Sequence, residues 1–496
     1  MNGRLSIDGP STLSCDVLVI GSGAGGACVA ATLAEGNVDV LLLEEGPYVA
    51  ADDAPVDLTD SMPTMWRGGG LTAALGTTPI AFAEGRCAGG GTEINSAIFQ
   101  PASDAIIGRW ARANHLGDLT PPTLAPYYAR AAAAVNASPT AGPAGPPTAL
   151  LQRAADAMRW RTTPLERARR DGPQTRHRLS GMADGLKQSM TLTLLPRALA
   201  RGARLLTGCR VDRLIRRGRR IVGARASAVG RDGRRHAVAI SASTVFVCAG
   251  TTQTPALLQR SGLGHNTGRA FQLHPTVRVI AQFAQPVDAD RHHLPLVAVT
   301  EFAPELRFGG SVFTLATFGL SLAEDWPTRR GLLPDHGHCA IYYAMIRPDG
   351  VGQIRAVPGL AEPIVSYRLT ERDWRRLGEG LGLLAQGLLA AGAHRVIPSI
   401  QGHPGWTDAD GLRRQPPGPL PRRRTALMTI HLFGSCPMGG SAALFPVDPD
   451  GRLRAADNVL IADGSALPGA PGVNPQATIM AFAFRIADGF LASTSR

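Results

Sequence analysis

The sequence predicts an α/β fold in which one domain is assembled from separated segments and a second, antiparallel-sheet domain is inserted into it. Three observations carry that expectation. Near residue 15 an apolar run, a glycine-rich stretch and a second apolar run follow one another within about thirty residues, the dimensions of a strand–loop–helix–strand unit. A strand-and-helix pattern returns far along the chain, in NVLIADGS and NPQATIMAFAFRIADGFLA. Between about 270 and 365 the pattern changes to alternating strand-like segments such as SVFTLATFGL and HCAIYYAMI. At 496 residues the chain exceeds what one compact core holds. The expected division is 12–105, 186–272 and 425–496 for the first domain, with 106–185 and 273–424 forming the second.

Cys15 to Ile20 (CDVLVI) has the continuous apolar character of a strand buried on both faces. A helix follows from Cys28 to Leu33, and the strand Val38 to Leu43 ends at Glu44-Glu45-Gly46. Glu84 to Phe99 is a second glycine-dense loop. Leu205 to Ala226 reads as a β-hairpin, with VDRLI and IVGARA flanking a basic turn. Thr244 to Cys248 is another buried strand, ending at Ala249-Gly250. A long helix is expected from about Glu371 to Ala391, then a Pro/Arg-rich loop to about Arg424.

The net charge is +12, yet the chain contains a single lysine, Lys187, and its basic residues are otherwise arginine. With abundant Ala, Gly and Pro, that usage fits a GC-rich genome rather than a phosphate-binding surface. The clusters Arg216-Arg217 with Arg219-Arg220, and Arg422-Arg423-Arg424, lie at turns far apart and without interleaved aromatics, so nucleic-acid binding is not expected. Lys187 itself reads as a surface charge. The seven cysteines (Cys15, Cys28, Cys87, Cys209, Cys248, Cys339, Cys436) make no CxxC pair and no zinc spacing, and their odd number suits a reducing compartment. His336-Gly337-His338-Cys339 resembles half a metal site without a second half, so no metal is expected. No charged leader with an apolar core follows Met1, and no apolar run is long enough to span a bilayer; a soluble, cytoplasmic protein is expected.

Gly21-Ser22-Gly23-Ala24-Gly25-Gly26 sits between a strand and a helix, with Glu44 at the end of the second strand about twenty positions on. Glycines are needed where the chain turns tightly, where backbone approaches a diphosphate and where helix packs on strand. The helix N-terminus favours the diphosphate charge and Glu44 would hydrogen-bond a ribose, so the pattern predicts a bound dinucleotide. This motif alone does not separate FAD from NAD. The C-terminal strand does: it puts Asp463 beside Gly464 at a strand end, a second nucleotide-type contact for which a chain using only NAD has no need. Asn474-Pro475 has the form of a helix start, Asn as N-cap and Pro at the first helical position, with the positive helix end towards a flavin.

Four segments in order make the chain resemble the glucose–methanol–choline (GMC) oxidoreductases. They are GSGAGG…LLLEEGP, the loop Gly85 to Asn95 (GRCAGGGTEIN), FVCAGTTQTPALLQRSGLG from Phe246, and HLFGSCPMGG…NVLIADGSALPGAPGVNPQATIMAFAFRIAD. LKQSMTLTLLPRALARGARL around Lys187 and QLHP around His274 are similar as well. The wording is nearest to the cholesterol oxidase and long-chain alcohol oxidase branch. The resemblance implies a Rossmann-like FAD-binding domain and oxidation of an alcohol to an aldehyde or ketone, with His431 and Asn474 as the catalytic pair beside flavin N5. It implies that Gly21, Ser22, Gly23, Ala24, Gly26, Glu44 and Glu45 meet the FAD, with Arg86, Gly90, Gly91, Thr92 and Asn95 from the second loop. Val211 would meet the adenine, and Ala249, Gly250, Asp463, Gly464, Asn474, Pro475 and Thr478 complete the expected cofactor set. Some members link FAD covalently through a histidine just before the position of Asn95; Ile94 stands there, so non-covalent FAD is expected.

The residue types suit that chemistry. Oxidising an alcohol removes a hydride from carbon and a proton from oxygen. Neutral imidazole is the natural acceptor for the proton, and an asparagine amide donates to the oxygen without competing for it. Some alcohol oxidases of this branch carry cysteines where this chain has Gly181-Met-Ala-Asp-Gly185, and the additional glutamate of sterol oxidases matches no motif, so neither subgroup's substrate transfers. VFTLATFGL would line a pocket for an aliphatic or polycyclic alcohol, with oxygen or another carrier taking the electrons. Three rivals fit less well. A same-fold flavoprotein decarboxylase has no need of His431 and Asn474, and an NAD dehydrogenase leaves the C-terminal motifs unused. A non-enzymatic flavin- or nucleic-acid-binding protein leaves the His/Asn pair unexplained.

Overall fold

A computed structural model describes residues 3–55, 57–139, 144–170, 186–292 and 294–494. Its first half contains β1 (Ser11–Ile20), α1 (Ala24–Glu35), β2 (Val40–Leu43), β3 (Ile80–Phe82), the short α2 (Gly91–Ile94), α3 (Pro121–Ala134), β4 (Arg204–Leu206), β5 (Cys209–Arg217), β6 (Arg220–Val229) and β7 (Arg235–Val247). The second half contains β8 (Thr276–Phe283), β9 (Leu306–Gly310), α4 (Leu315–Ala323), β10 (Cys339–Ile346), α5 (Glu371–Ala390), β11 (Ala393–Pro398), β12 (Leu427–Thr429), β13 (Val459–Ile461) and α6 (Gln476–Thr494). The result is the expected mixed α/β architecture.

The first sheet gathers strands from both ends of the chain. β1 runs parallel to β2 on one side and to β7 on the other, β4 extends the sheet beyond β2, and β13 lies parallel to the end of β7. α1 packs against α6, and α6 against α3. Val17 to Ile20 and Val40 to Leu43 are all buried, which is why their sequences show no alternation. The predicted strand Thr244 to Cys248 is only the end of β7. The first part of β7 alternates exposed and buried residues and pairs antiparallel with β6, while its apolar end lies among the parallel strands. The basic turn joins β5 and β6, and Leu205 belongs to β4 instead of the hairpin.

The second sheet centres on β8, which pairs antiparallel with β10 on one edge and with β11 and β12 on the other; β9 lies beyond β10. One of its faces is apolar: Val277, Val279, Phe308 and Ala344 pack in one cluster with Trp374, Leu377, Leu381, Leu384 and Leu388 of α5. Burying each such leucine contributes on the order of 1.5–3 kcal/mol. α5 starts with a capping box in which Thr370 accepts from Asp373 N and Asp373 accepts from Thr370 N.

Two expectations are corrected here. SVFTLATFGL is no strand: Thr314 and Thr317 form a reciprocal capping box that starts α4, so local capping overrides the alternating pattern. Leu315 and Leu320 of that helix are exposed, so the segment is not a pocket-lining strand. The stretch Gly181 to Gly185 lies outside the described residues. Among the described residues no helix is long and apolar enough to cross a membrane, and no group of three or more His, Cys, Asp or Glu is placed to hold a metal.

Candidate active site

The sequence-predicted loops converge where the parallel strands end. Ile20, Val247 and Ile461 stand level across β1, β7 and β13, so Gly21, Cys248 and Ala462 leave the sheet side by side. α1 starts so close to this edge that a Cβ at Gly26 would fall 1.8 Å from Gly21 O. Gly23 is the N-cap of α1, immediately before Ala24, and no side chain caps it. Opposite, Gly90 at φ +55° presses backbone against backbone: a Cβ there would lie 2.9 Å from Gly23 Cα, whereas one at Gly91 would meet nothing within 4 Å. A cleft walled by bare main chain at the positive end of a helix accommodates a diphosphate.

Side chains brace this cleft more than they line it. Glu44 accepts from Ser22 N (3.1 Å), Ser22 Oγ (2.7 Å) and Gly46 N (2.8 Å), and burial pushes its pKa up. Ser22 Oγ also receives Gly89 N at 3.1 Å, and Thr92 Oγ1 donates to Gly89 O at 2.7 Å. Glu45 is instead engaged by Arg67 (3.0 Å) and Arg86 (3.3 Å). Val211 follows Cys209, whose N donates to Glu44 O at 2.8 Å. Asp463 accepts from Gly250 N (2.8 Å), Thr254 Oγ1 (2.6 Å) and Ser465 N (2.8 Å), which ties Ala249-Gly250 to Gly464. Thr478 is buried in α6 with its hydroxyl 3.1 Å from Tyr128 of α3.

Lys187 is buried, contrary to the expected surface charge. Its Nζ donates to Glu93 O (2.7 Å) and Asn95 O (2.6 Å), fastening the second glycine loop. Burial draws its pKa down to about 7, opposed by the nearby Glu93 carboxylate. Asn95 in turn donates to Gln476 Oε1 (2.7 Å) in the first turn of α6.

His431 and Asn474 come together just before α6. Asn474 Nδ2 lies 2.9 Å from His431 Nε2. The expected helix cap is displaced by one residue: Pro475 O accepts the first α-helical bond, from Ile479 N, and the Asn474 amide is turned to the histidine. Behind His431 stands His274, with Nδ1 facing Nδ1 at 3.1 Å and its Nε2 3.1 Å from Gly472 N. Two donors, Gly472 N and Asn474 Nδ2, thus face a chain of two imidazoles. Two neutral rings joined through Nδ1 offer an acceptor at one end and an N–H at the other, so adding a proton satisfies neither donor. Burial draws the His431 pKa down to about 3, helped by the Arg307 charge. Burial and the neighbouring His431 hold His274 well below its usual value.

GMC oxidoreductase family models match residues 62–276 and 348–483. The chain belongs to the GMC oxidoreductase family. An FAD binding domain model matches residues 16–77, and flavoprotein oxidases of this fold are among its structural neighbours, so FAD is the cofactor of this GMC oxidoreductase. It is 49% identical to an uncharacterized GMC-type oxidoreductase of Sinorhizobium fredii, over 100% of this chain and 98% of that protein. It is 26% identical to a long-chain-alcohol oxidase of Arabidopsis thaliana, over 96% of this chain and 67% of that protein. Pyridoxine 4-oxidase from Mesorbium loti shares the fold at 20% identity, with a TM-score of 0.73 over 96% of this chain and 99% of that one. Sequence reasoning pointed to His431 and Asn474, which the structure brings together, and did not point to the neighbouring His274, to Lys187 or to Arg307. QLHP and the solitary lysine were signals for the first two; Arg307 gives none, being one arginine in a chain with 51 Lys and Arg.

Proposed function

We propose that this chain oxidises an alcohol to an aldehyde or ketone with FAD held non-covalently, His431 taking the hydroxyl proton. The observation that carries this reading is the 2.9 Å pairing of His431 Nε2 with Asn474 Nδ2. An alcohol oxygen docked beside the pair, facing both nitrogens, would accept from the amide while its proton passes to the imidazole. When bound, FAD supplies the hydride acceptor for the alcohol C–H. The residues proposed to hold it are Gly21 to Gly26, Glu44, Gly90, Gly91, Asn95, Val211, Gly250 and Asp463, around the backbone-walled cleft. Glu45, Arg86, Thr92, Gly464 and Thr478 act behind them, through Arg67, Gly89, Asp463 and Tyr128. Ile94 in place of a histidine supports the absence of a covalent link.

His431 is 7% exposed and His274 fully buried, so the imidazole pair lies largely out of bulk water. The depressed basicity of His431 keeps it neutral near neutral pH, and Nε2 is its accepting nitrogen in the tautomer whose Nδ1–H donates to His274 Nδ1. The long-chain-alcohol oxidases among its relatives support an alcohol substrate. Oxygen or another carrier takes the electrons afterwards. Seven unpaired, buried cysteines support a cytoplasmic setting. The gathering of strands near residues 11–20, 204–247 and 459–461 into one sheet supports the discontinuous domain division of 12–105, 186–272 and 425–496. The test is an anaerobic absorbance spectrum before and after a panel of alcohols, with acid precipitation alongside. A yellow protein that bleaches with one alcohol class and releases free FAD bears the reading out; a flavin that no alcohol reduces ends it.

A further inference from the structure

Among the described residues Arg307 has no counter-charge. It lies in β9 and is 4% exposed, its Nε is buried and unpartnered, and among the described residues no carboxylate forms an ion pair with it. Its neighbour Glu305 is committed to Arg109 (2.8 Å), Arg347 (3.3 Å) and Arg376 (3.6 Å). Holding an unpaired guanidinium out of water is costly, and the cost disappears only when an anion meets it.

The sheet register carries this charge to the active site. Arg307 stands opposite Met345, Met345 opposite Thr276, and Thr276 opposite Met428, one row across four strands. Arg307 is thus two strand spacings, about 10 Å, from Thr276. Thr276 is two positions from His274, and Met428 three from His431. The next residues along, Phe308 and Val277, turn to the apolar face of the sheet. On the other side, Pro304 abuts the loop that carries Asn474: a Cβ at Gly472 would sit 3.0 Å from Pro304 O.

We propose that Arg307 binds a carboxylate of the substrate, so that the alcohol oxidised at His431 is a hydroxy acid. This rests on the alcohol-oxidising reading above. A guanidinium offers two parallel N–H donors that match a carboxylate. One arginine balances one carboxylate charge; a phosphate ester carries nearly two, and the other basic side chains here are already held by Glu305. The hydroxyl-bearing carbon would give up its hydride to the bound FAD and the hydroxyl its proton to His431, leaving an oxo acid with its carboxylate unchanged. Pairing would also quench the positive charge that weakens His431 as a base, so the anchored substrate strengthens its own proton acceptor.

The holoenzyme is reduced anaerobically with matched pairs: 4-(hydroxymethyl)benzoate against 4-(hydroxymethyl)benzamide, and ω-hydroxyalkanoates against alkanols of equal length. The acids are the better substrates, and in Arg307→Gln the acid-to-amide ratio of kcat/KM falls by about 10–100-fold, mainly through KM. Arg307→Lys keeps part of the ratio. Equal rates for acid and neutral partner, an unchanged ratio in Arg307→Gln, or a stronger preference for 4-(hydroxymethyl)phenyl phosphate each overturn the carboxylate assignment while leaving alcohol oxidation in place. If no alcohol reduces the flavin, alcohol oxidation fails, and a benzoate titration followed in the flavin absorbance band decides the anion site. Saturable binding that weakens at least about tenfold in Arg307→Gln supports it, and no spectral response overturns it. Arg307→Met removes an unpaired charge and raises the Tm of the unliganded protein; a lower Tm means the charge was already matched, which also overturns the proposal.

Discussion

The cleft at the ends of β1, β7 and β13 and the corner at His431 meet near the start of α6 but are made of different material. The cleft is walled by main chain, with Gly23 and Gly90 back to back and side chains such as Thr92 bracing from behind. The corner is made of side chains delivered by separate stretches: His274 ahead of β8, His431 after β12 and Asn474 ahead of α6. A main-chain wall is damaged by adding atoms and tolerates losing side chains. A side-chain corner behaves in the opposite way.

Each side of that comparison has a measurement that breaks it. His431→Ala removes the proton acceptor, so flavin reduction slows by about 10²–10⁴-fold while the FAD content stays at wild-type level. A variant that reduces as fast as wild type, or that purifies colourless, would place the chemistry or the cofactor contact elsewhere. Lys187→Met leaves the Glu93 and Asn95 carbonyls without their donor, a loss of about 1–3 kcal/mol at each. The protein is expected to melt lower and to lose FAD on dialysis, since the loop bearing Gly90 then loses two of the bonds that fasten it. Gly90→Ala adds one carbon to the wall where φ is +55°, at a cost of about 1–2 kcal/mol before the contact with Gly23 is counted. Its FAD affinity falls, whereas Ser22→Ala, a deletion behind the wall, retains most of the bound flavin; equal losses in the two would erase the distinction.

The gentlest test is pH. His431 titrates at about 3 in the folded chain against an ordinary value near 6.5. Between those values the unfolded chain binds a proton that the folded one refuses, so this group's share of stability falls on acidification from about pH 6.5 towards 3 and is flat above. The slope is at most about 1.4 kcal/mol per pH unit for each such histidine, and His274 adds in the same direction. Urea midpoints measured between pH 4.5 and 7 follow it, and His431→Gln flattens the curve; an unchanged slope in that variant would mean the imidazole is not held neutral.

The same contrast explains what was legible in the sequence. Main-chain sites are local: Gly21 to Gly26, their flanking strands and Glu44 lie in one stretch, so strand pattern and glycine spacing suffice. Strands buried on both faces, such as Val40–Leu43, announce themselves by unbroken apolarity. Short-range capping defeated the pattern at Leu315–Ala323, where a threonine pair three residues apart outweighed the alternation. Long-range convergence defeated it at His274 and Arg307, whose neighbours across the sheet are set by register and not by spacing along the chain. Asn474 was found, but its partner is His431 rather than the helix N–H groups that its position suggested.

Lys187 has a last consequence that follows from its being solitary. A protease specific for lysine finds one cleavable bond in this chain, and its recognition side chain is 3% exposed. Cutting must wait until the segment bonded to the carbonyls of Glu93 and Asn95 swings free, so the rate at which two fragments appear counts the openings of that one latch. The fold thus carries a built-in clock for a single local motion, readable on a gel without any label.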